Sequence, residues 1–293
     1  MISVPSSDGV VVALHELAGA ERAGHPVVLV AHATGFHGHA YLPIATRLAP
    51  RLHTFALDFR GHGDTPRPPD WPVDWDRYGD DAEVAAQALA SRPGAAGGLI
   101  GFGHSMGGAG LLMAAARRPG LFRLLVVFEP IVFPSDRPGP PTTESPMVIG
   151  ARRRRPVFDS FEAAIANYAS KPPLGAFDPE ALDAYVRFGL RPEGDHLRLK
   201  CEPEHEARTF EQGGQHATWD GLASIDIPVV VVAGRVEEGQ PSAIAEAAAD
   251  ALPAGRFVGD PTLDHFGPFT HPGVVADLIS AEIDGLGDGP RPL

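Results

Sequence analysis

The stretch Leu99-Ile100-Gly101-Phe102-Gly103-His104-Ser105-Met106-Gly107-Gly108-Ala109-Gly110 leads from an apolar run through Gly-His-Ser-Met-Gly into the helical pattern Leu111-Leu112-Met113-Ala114-Ala115-Ala116. That order predicts a strand, a sharp turn and a helix. It is the G-x-S-x-G arrangement, in which the turn raises one serine above the end of a sheet. Gly103 and Gly107 stand two residues to either side of Ser105, where the chain folds back too closely for a Cβ. A helix starting at Met106 aims its unpaired N–H groups and its dipole at charge developing above Ser105. The competing reading is a Gly-rich turn with an incidental serine; the strand before it and the helix after it argue against that.

Outward from this turn, Pro26-Val27-Val28-Leu29-Val30-Ala31 is a continuous apolar run of the kind found in strands buried on both faces. Residues 53–57, 98–102, 124–128 and 229–233 repeat that character, and 256–259 supplies a last strand before a closing helix over 274–283. Helical stretches over 41–48 and 81–90 lie between them, and strand–helix alternation predicts a mostly parallel sheet with helices on both faces. Near the N-terminus, Ser7-Asp8-Gly9 separates two β-rich runs as a hairpin turn. The alternation breaks from about residue 133 to 216, where helical patterns over 161–170, 179–188 and 203–212 follow a Pro-rich stretch, 133–141, read as a hinge. The division expected is a core of residues 1–133 and 217–293 with a helical cap or lid at 134–216.

The length of 293 residues suits one α/β domain with an insertion. A net charge of −13 argues against nucleic acid or an anionic membrane surface as partner. No apolar run is long enough to span a membrane, and the first residues lack the regions of a signal peptide, so the expected compartment is the cytoplasm. The single cysteine, Cys201, excludes an intrachain disulfide and a paired-cysteine metal site.

The turn at Ser105 and the stretch Asp58-Phe59-Arg60-Gly61-His62-Gly63-Asp64-Thr65 together resemble the α/β-hydrolase family, in particular its capped, esterase-like members. The resemblance covers about residues 1–133 and 217–290 and the cap only loosely. It implies the α/β-hydrolase fold and the chain order serine, acid, histidine. In Thr262-Leu263-Asp264-His265-Phe266-Gly267, which resembles the family's Gly-His-Phe segment, His265 takes the place of the general base. His271 is its competitor but precedes Pro272 and fits the start of a helix. Ala31-His32-Ala33-Thr34-Gly35 resembles the family's His-Gly-x segment with Ala33 where glycine is usual, which makes the Thr34 N–H, with that of Met106, an oxyanion donor. The family's role for the Asp58 stretch is structural, with Asp58 and Arg60 holding the turn.

The acid stays open between two positions. Glu237, in Gly234-Arg235-Val236-Glu237-Glu238, aligns with the family's usual acid, whereas Glu129, before Pro130, stands where lipases and some dehalogenase-like members place theirs. A glutamate ending a buried strand needs a partner, which tilts the choice slightly to Glu129. His37 and His39 lack clustered acidic or thiol ligands and are read as loop histidines, so neither a metal nor a cofactor is expected. Arg152-Arg153-Arg154-Arg155 is read as the solvated start of a cap helix, and Trp71 and Trp75 as packing at the pocket rim. The function these readings imply is a serine hydrolase acting on a small carboxylic ester or related acyl compound. Thioester or C–C hydrolysis, cofactor-free perhydrolysis or haloperoxidation, acyl transfer, and non-catalytic ligand binding on the same fold remain alternatives. A small-molecule substrate is the expected partner, and a homodimer is compatible with the sequence.

Overall fold

The computed structural model describes residues 1–19, 25–134 and 143–286. Most of the Pro-rich stretch read as a hinge therefore lies outside the described residues. In chain order the first elements are β1 (Ile2–Pro5), β2 (Val11–Ala18), β3 (Val27–Ala31), α1 (Leu42–Leu48), β4 (His53–Asp58) and α2 (Asp76–Leu89). There follow β5 (Leu99–His104), α3 (Met106–Arg117) and β6 (Phe122–Phe128). The insertion carries α4 (Pro146–Arg152), β7 (Val157–Phe158), α5 (Phe161–Ala169), α6 (Pro179–Gly189), β8 (Leu190–Glu193), β9 (His196–Leu199) and α7 (Pro203–Glu211). The chain then returns through α8 (Thr218–Gly221), β10 (Val229–Ala233), α9 (Ala245–Asp250), β11 (Gly255–Gly259), α10 (Gly267–Thr270) and α11 (Pro272–Gly285).

Among the described residues eight strands form one sheet in the order β1-β2-β4-β3-β5-β6-β10-β11. Every pairing from β4 to β11 is parallel, and the β1–β2 hairpin joins it antiparallel at the β4 edge. Parallel neighbours put all the strand C-termini at one end, where ligands of such sheets bind. Both faces are covered. Val27, Leu29 and Ala31 pack on one side with α2, α3 and α9, while Val28 and Val30 pack on the other with α1 and α11. That two-sided burial is why the strand reads as an unbroken apolar run.

The insertion is not purely helical, as the sequence reading has it. β7, β9 and β8 form a small antiparallel sheet, and Asp195 with Gly194 (φ +59°) turns the β8–β9 hairpin. These strands are short and bury only Phe158, Leu190 and Leu199, so they lack the apolar run that marks a core strand in sequence. Ser145, Ser160 and Asp178 cap α4, α5 and α6 through side-chain oxygens that accept from Val148, Ala163 and Glu180 N–H groups. None of the helices among the described residues is long and apolar enough to cross a membrane.

The turn after β4 is tied down by buried charge. Arg60 donates to both carboxylate oxygens of Asp81 at 2.9 and 2.7 Å, and its guanidinium also reaches Asp8 at 3.0 Å and the Ser7 hydroxyl at 2.9 Å. Asp58 accepts from the N–H groups of Gly38 and Asp64 and from His15 at 2.7–2.8 Å. Burial, the largest single effect, pushes the Asp58 carboxyl up, but the bond from His15 together with the neighbouring imidazoles of His15, His37 and His32 outweighs it and holds the group below the usual carboxylate range. Because Arg60 and Asp81 are both fully buried, Arg60→Met leaves the Asp81 carboxylate without a counter-charge, held only by the Ser6 hydroxyl and the backbone N–H of residue 60, and should cost about 3–5 kcal/mol in urea unfolding. Arg60→Met combined with Asp81→Leu should cost clearly less than the single change; a double variant as unstable as Arg60→Met would show that charge pairing is not what holds the turn.

Candidate active site

Ser105 sits between β5 and α3 with φ +55° and ψ −116°, a left-handed conformation that an L-residue holds only when its surroundings enforce it. The enforcement is steric. A Cβ on Gly107 would lie 2.0 Å from the Ala31 carbonyl oxygen, and one on Gly103 would meet Gly108 at 2.7 Å. The first turn of α3 is thus wedged against the end of β3, and the unpaired N–H end of that helix points to where Ser105 stands.

The residue beside Ser105 connects two other loops. The Ala33 N–H donates to the Tyr41 hydroxyl (3.1 Å), that hydroxyl donates to His104 Nδ1 (2.8 Å), and His104 Nε2–H donates to the His265 carbonyl (2.8 Å). A carbonyl only accepts, so His104 carries its proton on Nε2, and burial keeps it neutral with a pKa well below the ordinary imidazole value. The rings of His104 and His265 lie 5.0 Å apart. His265 is thereby placed against the serine turn, and its Nδ1 donates to Glu129 Oε2 at 2.6 Å.

Glu129 ends β6 with φ +43° and is 1% exposed. Its N–H donates to the Val232 carbonyl, and its second oxygen, Oε1, accepts from the Gly234 N–H at 2.9 Å. Adjacent β6 and β10 make this reach possible, because the chain leaving β10 turns directly over the end of β6. Glu237 is elsewhere: it lies exposed in the loop after β10 and pairs with Arg235 at 2.8 Å. His271 is the residue before α11, as expected, but its exposed ring bonds only the Thr270 hydroxyl (2.9 Å) rather than capping the helix.

Thr34 and Met106, read from separate motifs, are brought together, with the Thr34 hydroxyl 3.5 Å from the Met106 sulfur. Ala33 fits where glycine is usual because its φ is not positive. The His32 ring beneath accepts from the Phe59 N–H (3.0 Å) and so donates from Nδ1 to the Ala33 carbonyl (2.8 Å), which fixes the loop from below. Phe36, Phe177 and Phe269 stack at 4.3–6.1 Å beside His104, and Phe266 closes the same apolar wall next to His265.

His37 and His39 do not converge on a metal. His37 Nε2 donates to the Tyr185 carbonyl (3.0 Å), and His39 stacks on Phe188 at 4.1 Å. His15, Asp58 and Asp64 offer ligand atoms within 4.8 Å of one another. They do not fit a cation, since Asp58 is filled by N–H donors and Lys200 already sits on Asp64 at 2.6 Å.

The family model described as the alpha/beta hydrolase family matches residues 16–278. This chain belongs to the α/β-hydrolase family. Among curated α/β-hydrolase relatives, the 2-(acetamidomethylene)succinate hydrolase of Mesorhizobium japonicum is 25% identical over 268 residues, 90% of each chain. A crystal structure of E-2-(acetamidomethylene)succinate hydrolase superposes with a TM-score of 0.75 at 24% identity, covering 97% of this chain and 99% of that one. A thermophilic esterase from Thermogutta terrifontis superposes at 0.68 and 19% identity, covering 97% and 98%. At these identities the two structures show a shared fold.

Two readings of this hydrolase's sequence change. Arg152 closes α4 rather than starting a helix, and it is tied to Glu204 at 2.9 Å and Glu211 at 2.7 Å. Arg154 does not stand out in solvent: it turns inward beneath the insertion, half-buried, to Glu206 and the hydroxyls of Tyr168 and Tyr185. Trp71 and Trp75 are packing residues, but in the core beside Tyr78 rather than at a rim. A narrow crevice, with about 10 Å³ of free space, lies between Phe36, His37, Arg154, Tyr185 and Lys200. Sequence reading missed Arg154, Tyr185 and Glu206, whose spacing carries no local signal.

Burial lowers the pKa of His32 and of His205 from 6.5 to about 4. A histidine whose folded pKa lies below its unfolded value stabilises fully above about pH 6.5 and loses that contribution as pH falls toward 4. Stability measured by urea unfolding should therefore fall between these values, by up to about 1.4 kcal/mol per pH unit for each such group. A flat profile over that range would show that these imidazoles titrate normally in the folded protein.

Proposed function

We propose that this α/β-hydrolase is a serine hydrolase acting on a small carboxylic ester or related acyl compound. The observation that carries the reading is the pairing of His265 Nδ1 with the buried Glu129 carboxylate at 2.6 Å, beside a serine held in a left-handed turn. In this reading Ser105 Oγ attacks the substrate carbonyl and His265 Nε2 takes its proton. Glu129 holds the imidazole with its Nδ1 protonated and offsets the positive charge that forms. The N–H groups of Thr34 and Met106 receive the oxyanion of the tetrahedral intermediate. His265 then gives its proton to the leaving group, leaving an acyl-Ser105, and a water activated by the same imidazole releases the acid. The Phe36–Phe269 wall excludes water from the site, strengthening the charge interactions within it. The insertion acts here as the cap over the acyl site.

A second reading, hydrolysis of an amide-type acyl compound by the same steps, is favoured by the relative named for 2-(acetamidomethylene)succinate, which matches 90% of each chain. Fold and site do not separate the two, and turnover of matched esters and amides would.

A fluorophosphonate should label the folded protein at Ser105 alone, with the adduct mapped by mass spectrometry; no adduct there would remove the serine-hydrolase reading. Glu129→Gln should keep the fold and lower kcat by about 10³–10⁴-fold, while Glu237→Gln stays within about twofold. The reverse pattern would transfer the acid's role to Glu237.

A further inference from the structure

We propose that Tyr185, gripped by Arg154 and Glu206, is a positioning residue that sets the oxyanion loop, so that the insertion must be seated before Ser105 is competent. This rests on the serine-hydrolase reading above. Tyr185 on α6 touches three consecutive residues of the loop that follows Thr34. Its hydroxyl donates to the Gly35 carbonyl (3.4 Å), its ring lies 5.0 Å from that of Phe36, and its own carbonyl accepts from His37 Nε2 (3.0 Å). No other residue of the insertion shows hydrogen bonds to both Gly35 and His37 among the described residues.

The Tyr185 hydroxyl is itself fixed. Arg154 donates to it and to the Tyr168 hydroxyl (3.2 Å), and pairs with Glu206. These four side chains come from the chain after α4 and from α5, α6 and α7, so the network exists only when these parts of the insertion pack together, and its bonds from Tyr185 to Gly35 and His37 tie that packing to the core. Glu206 completes the grip: Gly35 has φ +80°, and a Cβ there would lie 2.4 Å from Glu206 Oε1. The carboxylate occupies the space that the missing side chain leaves.

The position of this grip matters. Gly35 is the most freely rotating residue of the loop and immediately follows the Thr34 donor. On the core side the loop is held at Ala33 by Tyr41 and at Gly38 by Asp58; the Gly35 carbonyl between them is held from the insertion. An oxyanion donor works only within about 2.7–3.1 Å of the developing charge, and a shift of ~1 Å is enough to lose rate. A buried Arg–carboxylate pair contributes little stability over an apolar replacement. Its effect is therefore sought in geometry.

The test compares Tyr185→Phe, which removes one oxygen and keeps the ring, with Arg154→Met and the control Arg152→Ala, which loosens the exposed side of the insertion. Two quantities are read: the second-order rate at which a fluorophosphonate labels Ser105, and kcat and KM for p-nitrophenyl acetate. A positioning role predicts that Tyr185→Phe and Arg154→Met lower the labelling rate and kcat together, at least tenfold, with KM within twofold and Arg152→Ala unchanged. Labelling and kcat retained in Tyr185→Phe, or a change confined to KM, would overturn it, the latter making these groups substrate contacts. If Arg154→Met does not fold, Tyr185→Phe decides alone, because it leaves the packing intact. Wild-type protein that is not labelled at Ser105 refutes the hydrolase reading itself, an outcome distinct from labelled variants that react at the wild-type rate.

Discussion

The carboxylate of Glu129 is where three segments at the C-terminal end of the sheet meet. It leaves β6 in a left-handed conformation, accepts the Gly234 N–H from the loop after β10 and accepts the His265 Nδ1 proton from the loop after β11. A buried carboxylate without donors would be several kcal/mol too costly to keep ionised. With both oxygens bonded, the same burial makes it a rigid acceptor whose position is set by two adjacent parallel strands rather than by its own flexible side chain.

From that point order spreads by hydrogen bonds whose directions are forced. The His265 carbonyl can only accept, so His104 donates to it from Nε2. His104 Nδ1 must then accept from Tyr41, and the Tyr41 oxygen receives the Ala33 N–H. The serine turn, the loop of His265 and the loop after β3 are joined in one chain of donors, and none of its members tolerates protonation of His104. The second residue of Gly-His-Ser-Met-Gly is thus part of the site's framework rather than a spacer.

Charge is handled in the same way beneath and above the site. Below, Arg60–Asp81 and Asp58 pin the turn that supports the loop after β3. Above, Arg154 and Glu206 bring a largely shielded ion pair to the loop's upper side. The loop that carries Thr34 is held between two neutralised pairs, one belonging to the core and the other to the insertion.

Much of this was legible in the sequence because the signals are local. Apolar runs mark β3, β4, β5, β6 and β10 since both faces of those strands are buried, and Gly103 and Gly107 mark the turn at Ser105 since two backbones touch there. His265 follows from its place after the last strand, and Thr34 from its place after β3. The short strands β7 to β9 were hidden because their residues pack on only one side or on none. Which of Glu129 and Glu237 lies against His265 could not be read from spacing, because both follow buried strands and either loop is long enough to reach the imidazole. It was decided by β6 and β10 lying side by side, which carries the Gly234 N–H over Glu129 and leaves Glu237 to Arg235 in solvent. The four arginines of 152–155 look alike in sequence, yet one turns inward, because only the packing of α5, α6 and α7 creates a place where a guanidinium meets two tyrosines and a glutamate. Local sequence determines which backbone turns can form; which distant side chains face each other is determined only when the elements pack.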